Sequence, residues 1–250
     1  MKLNVHQFGP GTPRVLLIHG LSSAGPVWWR IGAALENSGH TAVAPDLRGH
    51  GESTHPDDYS LDAYAEDLLE TCPGRWDLVV GHSLGGAVAV RAASIDPDFA
   101  SAYLLVDPAI TVDRSAAEEV RASIVADVAD PSSVDALLAE HPHWYREDAE
   151  RKRASLLATS VEVIGQTFTD NRDWALGEQL ASIAAPVHIL GAAEDPLYTA
   201  DDFAIHQTDA LTLTFEQVPK TSHSIYRDDP ETVTERALDL LGHRPQVVAE

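Results

Sequence analysis

The sequence predicts an α/β fold in which a mostly parallel sheet is covered by helices on both faces. Three observations predict it. Short runs of apolar and β-branched residues, at 15–18, 41–44, 78–80, 102–106 and 187–190, alternate with segments of helical periodicity. Parallel strands joined by helical crossovers give this alternation. The run at 78–80 leads into Gly81-His82-Ser83-Leu84-Gly85-Gly86 and a helix-compatible segment at 87–90, the pattern of a serine on a sharp strand-to-helix turn. Between residues 109 and 184 strand-like runs nearly vanish and Ala, Glu and Arg dominate. Several helices are therefore expected there, inserted above the carboxyl ends of the strands, where such sheets bind ligands.

The remaining elements follow in order. Residues 3–8 alternate loosely and read as an edge strand, closed by Gly9-Pro10-Gly11-Thr12-Pro13. The strand at 15–18 ends in His19-Gly20-Leu21-Ser22-Ser23. A helix over 26–37 carries Val27, Ile31, Ala34 and Leu35 on one side, and Gly39 stops it before the strand at 41–44. The Gly-rich loop 45–53 precedes a helix over 61–70, with Ser60 as N-cap and Leu61, Tyr64, Ala65 and Leu68 as its apolar stripe. Beyond Pro186, strands at 187–190 and 211–215 flank a helix over 200–207. A last helix over 230–241 turns Val233, Ala237, Leu240 and Leu241 inward, and residues 246–250 read as a frayed tail.

With 250 residues, 44% of them hydrophobic and 22% charged, the chain can bury a sizeable core and has an ordinary soluble composition. A net charge of −22 argues against nucleic acid and anionic membrane surfaces as partners, since both need a basic face. The single cysteine, Cys72, cannot form an intramolecular disulfide and fits a reducing compartment. No apolar run has the length of a signal peptide or a membrane span, so a cytoplasmic location without membrane insertion is expected.

A serine hydroxyl is a poor nucleophile at neutral pH and needs a base within hydrogen-bond reach. Downstream of Ser83, His188 falls in a strand, His206 on a helix, His141 and His143 in the insertion, and His243 in the tail. His223, in the loop between the last strand and the last helix, is the expected base. The acid that orients it is expected to be Asp195, just past the strand at 187–190. Asp107, one strand earlier and also at a strand end, is the reserve, and Glu194 reads as solvent-facing. Backbone N–H groups of Leu84 and Leu21 are the expected oxyanion donors, with Gly20 letting the chain approach. Trp28, Trp144, Tyr145 and Ile225 are expected to line the substrate pocket. His141-Pro142-His143 does not place two ligands on one helical face, so surface histidines are expected there rather than a metal site.

His19-Gly20, residues 46–53 (DLRGHGES), Gly81-His82-Ser83-Leu84-Gly85-Gly86, Asp195 and His223 together resemble the α/β-hydrolase superfamily. The likeness covers the chain outside the insertion, which corresponds to that family's variable cap. It implies an eight-stranded sheet, a core of residues 1–107 and 185–250, and a cap of 108–184 inserted after the sixth strand. It further implies a serine–histidine–acid triad that needs no cofactor. The resulting expectation is a hydrolase of a carboxylic ester or lactone of a small, mainly apolar substrate. A carbon–carbon bond hydrolase and a catalytically silent binding protein of the same fold are the alternatives. A serine rather than an aspartate at the elbow argues against epoxide hydrolase chemistry.

Overall fold

The computed structural model describes residues 1–207 and 213–242, apart from the side chains of 114–116. His243, the expected tail at 246–250 and the first two residues of the strand at 211–215 lie outside the described residues. The seven described strands form one sheet in the order β1-β3-β2-β4-β5-β6-β7. They are β1 (Val5–Phe8), β2 (Val15–Ile18), β3 (Ala42–Pro45), β4 (Leu78–His82), β5 (Tyr103–Val106), β6 (Val187–Ala192) and β7 (Leu213–Val218). Only β1 runs antiparallel, pairing Val5 with Pro45 at the edge.

The expected eighth strand is absent among the described residues. The chain before β1 is diverted from the sheet edge: Leu3 N–H donates to Thr71 Oγ1 at 3.0 Å and Asn4 N–H to Ser53 Oγ at 2.9 Å. The insertion therefore follows the fifth strand of this sheet, not the sixth.

The central strands are buried on both faces, which is why their sequences are continuously apolar. Leu16, Ile18, Val79 and Leu105 face one core, under α2 (Leu61–Thr71) and α3 (Leu84–Ile95). Val15, Leu17, Val80 and Val106 face the other, under α1 (Trp29–Asn37) and α11 (Pro230–Gly242). Each fully buried side chain of this size contributes about 1.5–3 kcal/mol. Ser60 caps α2 by accepting from Ala63 N–H at 3.2 Å. A 3-10 turn, Gly25–Trp28, occupies the start of the expected helix 26–37, so the α-helix proper begins at Trp29.

Between β5 and β6 lie α4 (Arg114–Ala129), α5 (Val134–Glu140), α6 (Arg146–Leu157), α7 (Val161–Asp170) and α8 (Gly177–Ala181). Val128, Leu156 and Ile164 gather there into a small apolar cluster that packs on Leu21 and Phe168. Polar anchors tie the helices to the sheet domain: Trp29 Nε1 donates to Asp148 at 2.8 Å, and Tyr64 Oη pairs with Thr167 Oγ1 at 3.0 Å. After β6 come α9 (Ala200–His206) and, after β7, the single turn α10 (Ile225–Asp228). Among the described residues no helix is long and apolar enough to cross a membrane.

Candidate active site

The carboxyl ends of β2, β4 and β5, and the loop after β7, converge at the point where the chain's crossovers change direction, the usual ligand position in such sheets. Ser83 occupies the step from β4 to α3 with φ 52° and ψ −118°. This is a conformation that glycine favours and other residues adopt only when their surroundings impose it. Here they do. Ser83 N–H donates to Val106 O at 3.1 Å, while Ser83 O accepts from Gly86, Ala87 and Ala109 N–H at 3.0–3.2 Å. Gly85 completes the constraint, because a Cβ there would collide with the Ile18 carbonyl.

Leu84 is the first residue of α3, so its N–H has no intrahelical acceptor. A Cβ on Gly20 would lie 3.0 Å from Ser83 Cβ, which brings the Gly20–Leu21 backbone against the serine. Two histidines brace this loop. His19 Nε2 accepts from Leu47 N–H at 3.0 Å, so its proton sits on Nδ1 and is donated to Gly20 O at 2.8 Å. His50 Nε2 accepts from Ser22 N–H at 3.2 Å while its Nδ1–H donates to Arg48 O at 2.8 Å. Burial lowers both, His50 to about 3, so each is a neutral strut at working pH.

Asp46 fixes the far side of the same loop, accepting from Gly25 and Glu52 N–H, Asn4 and His6 at 2.7–3.0 Å. Burial alone would raise this carboxyl, but those donors outweigh it and hold it well below 3.8. In the sequence, His19 and His50 are marked by the glycines that adjoin them and Asp46 by its place just past the strand at 41–44.

The structure pairs His223 with Asp107, not with Asp195. His223 Nδ1 lies 2.6 Å from Asp107 Oδ2. Asp107 is fully buried at the end of β5, with φ 40°, and its other contacts are backbone donors: Leu197 N–H at 3.1 Å and Tyr198 N–H at 3.3 Å. Asp195 is exposed in the turn that supplies those amides. The reserve, Asp107, rather than the expected Asp195, thus meets the imidazole, because the loop after β6 turns its backbone amides toward Asp107 and the Asp195 carboxylate toward water.

His82, just before the serine, donates from Nε2 to His223 O at 2.8 Å, and its ring lies 4.6 Å from the His223 ring. Burial holds His82 well below 6.5, so it steers the loop as a neutral donor. Asp228 is a second tether of the His223 loop. It accepts from Ser222 N–H and Oγ–H at 2.7 Å, from Trp144 Nε1 at 2.7 Å and from His143 Nε2 at 2.9 Å. Burial works against its ionisation, but these donors prevail and lower it below 3.8. A carboxyl whose folded value is depressed adds stability above its unfolded value, and that stability is lost as pH falls through the folded value. Asp228→Asn should therefore cost about 1–3 kcal/mol at pH 7 and flatten the acid limb of a melting-temperature profile below pH ~4. Parallel thermal melts between pH 3 and 7 check this.

The expected pocket residues are dispersed. Trp28 and Ile225 are fully buried in the core beneath α1 and α11, where the Trp28 ring packs 4.9 Å from Tyr226; neither is a pocket wall. Tyr145 is exposed beside Trp29, with Arg30 over its ring. Trp144 is buried and stacked on His141 at 4.0 Å. A cleft of about 450 Å³ between α4, α7 and Trp174 has none of Ser83, Asp107 or His223 in its lining.

The chain belongs to the alpha/beta hydrolase family, whose model matches residues 15–236. It is 39% identical over 140 residues to lipase LipV of Mycobacterium tuberculosis, in an alignment covering 54% of this chain and 53% of the lipase. The chain thus spans about half the length of that relative. It is 27% identical to esterase Rv0045c of the same organism over 95% of this chain and 86% of the esterase. The crystal structure of E-2-(acetamidomethylene)succinate hydrolase matches with TM-score 0.79 and 25% identity, covering 96% of this chain and 95% of that one.

Proposed function

We propose that the protein is a serine hydrolase that cleaves a carboxylic ester or lactone through an acyl-enzyme. The observation that carries the reading is the strained Ser83 at a helix N-terminus, together with the half-exposed His223 held by the fully buried Asp107. With Nδ1–H committed to Asp107, His223 keeps Nε2 free to take the Ser83 proton as Oγ attacks the carbonyl carbon. Leu84 and Leu21 N–H groups stabilise the oxyanion. His223 then protonates the departing alcohol; a water next gives a proton to Nε2 as its oxygen attacks the acyl carbon, and Nε2 passes that proton to Ser83 Oγ as the Oγ–acyl bond breaks and the acid leaves. The related lipase and esterase support ester cleavage, and the apolar cluster packed on Leu21 supports an apolar portion in the substrate. Residues 108–184 act as its cap.

Intact mass after treatment with a fluorophosphonate tests the reading. One adduct is expected on the wild type and none on Ser83→Ala. A folded wild type without an adduct removes it and favours a silent binding protein.

A further inference from the structure

Arg227 lies four residues beyond His223 and is 3% exposed. Its Nη1 donates to Ser224 Oγ at 3.2 Å, whereas its Nη2 is buried with no hydrogen-bond partner. No carboxylate among the described residues lies within ion-pair distance of it. Arg48, comparably buried, shows what a structural arginine does in this protein, since it is paired with Asp67 at 2.7 Å. Arg227 instead lies between the rings of Trp144, at 5.2 Å, and Tyr226, at 4.6 Å. The Tyr226 ring in turn is 4.8 Å from His82, the neighbour of the nucleophile.

A second cation is carried by the helix that follows Trp144. Lys152, on α6, has no ion-pair or hydrogen-bond partner among the described residues. Burial, followed by the charge of Arg227, lowers it to about 8, with Asp127 of α4 opposing. Both Arg227 and Lys152 act on His82 through their charge. A buried cation without a paired counter-charge is costly, and a guanidinium with one edge unpaired matches the two oxygens of a carboxylate.

We propose that the substrate carries a carboxylate, and that Arg227 and Lys152 hold it beside Ser83. This deepens the serine-hydrolase reading and rests on it for the position of the scissile bond. The apolar part of such a substrate meets the cluster around Leu21, and its charged end meets the cation pair.

The test compares mono-p-nitrophenyl glutarate with p-nitrophenyl pentanoate, an ester of equal chain length without the charge. The wild type should favour the anionic ester in kcat/KM by about tenfold or more, the yield of a single good charge contact. In Arg227→Met and Lys152→Met that ratio should fall toward one. Lys152→Met changes a half-buried helix position and keeps the test sound if Arg227→Met fails to fold. In parallel, glutarate is titrated calorimetrically into Ser83→Ala, with and without Lys152→Met, and inorganic phosphate serves as comparison. Binding of glutarate that Lys152→Met weakens supports the subsite. Equal turnover of the two esters through Ser83 with no glutarate binding overturns the subsite and leaves the serine reading standing. Absence of any turnover or fluorophosphonate adduct removes the serine reading, and the glutarate titration still decides whether the cation pair binds a carboxylate. Tighter binding of phosphate than of glutarate overturns the assignment to a carboxylate.

Discussion

Replacing Asp107 by Asn should lower kcat by about 10⁴-fold, while Asp195→Asn should leave it within about twofold. The asymmetry follows from what each carboxylate touches. In Asp107→Asn the amide oxygen can still accept from Leu197 and Tyr198 N–H, so the loop keeps its anchor. Its NH2 then faces His223 Nδ1 and forces that nitrogen to become an acceptor. The ring proton moves to Nε2, the nitrogen that receives the proton of Ser83 in the proposed mechanism, and a base in that role is switched off without being removed. The imidazolium that forms during attack also loses its counter-charge. Asp195 contacts neither group and sits exposed in its turn. Initial rates on a neutral p-nitrophenyl ester, together with melting curves to show that both variants fold, check this. A larger loss in Asp195→Asn would move the acid back to Asp195.

That contrast also marks how far the sequence could be read. The central strands were legible because they are buried on both faces, the helices α1, α2 and α11 because each turns one apolar stripe inward, and the elbow because its glycines are required by close backbone approach. His223 could be found by elimination, since the other downstream histidines fall within strands, helices or peripheral segments. The acid could not. Asp107 and Asp195 both follow buried strands, and only the course of the loop after β6 decides which one sees the histidine. Periodicity does not encode that course. Trp28 departs from its expected place in the pocket for a related reason. A position near the oxyanion loop says nothing about which sheet face a side chain takes, and Trp28 turns beneath the sheet against Tyr226. Arg227 and Lys152 are ordinary charged residues in the sequence. Their interest arises from the missing partner, which only three-dimensional packing reveals.

Ser83→Ala and Ser83→Gly should both lose about 10⁵-fold or more in kcat, the cost of removing the nucleophile from a triad, yet they should differ in stability. At φ 52° and ψ −118° the serine backbone stores strain of about 1–3 kcal/mol. Alanine keeps its Cβ and inherits that strain, so Ser83→Ala should melt near the wild-type temperature. Glycine removes it and returns about 0.5–1 kcal/mol through the greater freedom of the unfolded chain. The Gly variant should therefore exceed the Ala variant by about 1 kcal/mol, or roughly 2–4 °C in a domain of this size. Urea unfolding of the two inactive variants measures the difference without interference from turnover. A Gly variant less stable than the Ala variant would mean that Ser83 is not strained and that the loop holds it at no cost. A more stable one would show a nucleophile held in place against its own conformational preference, with stability given up for the position of one hydroxyl.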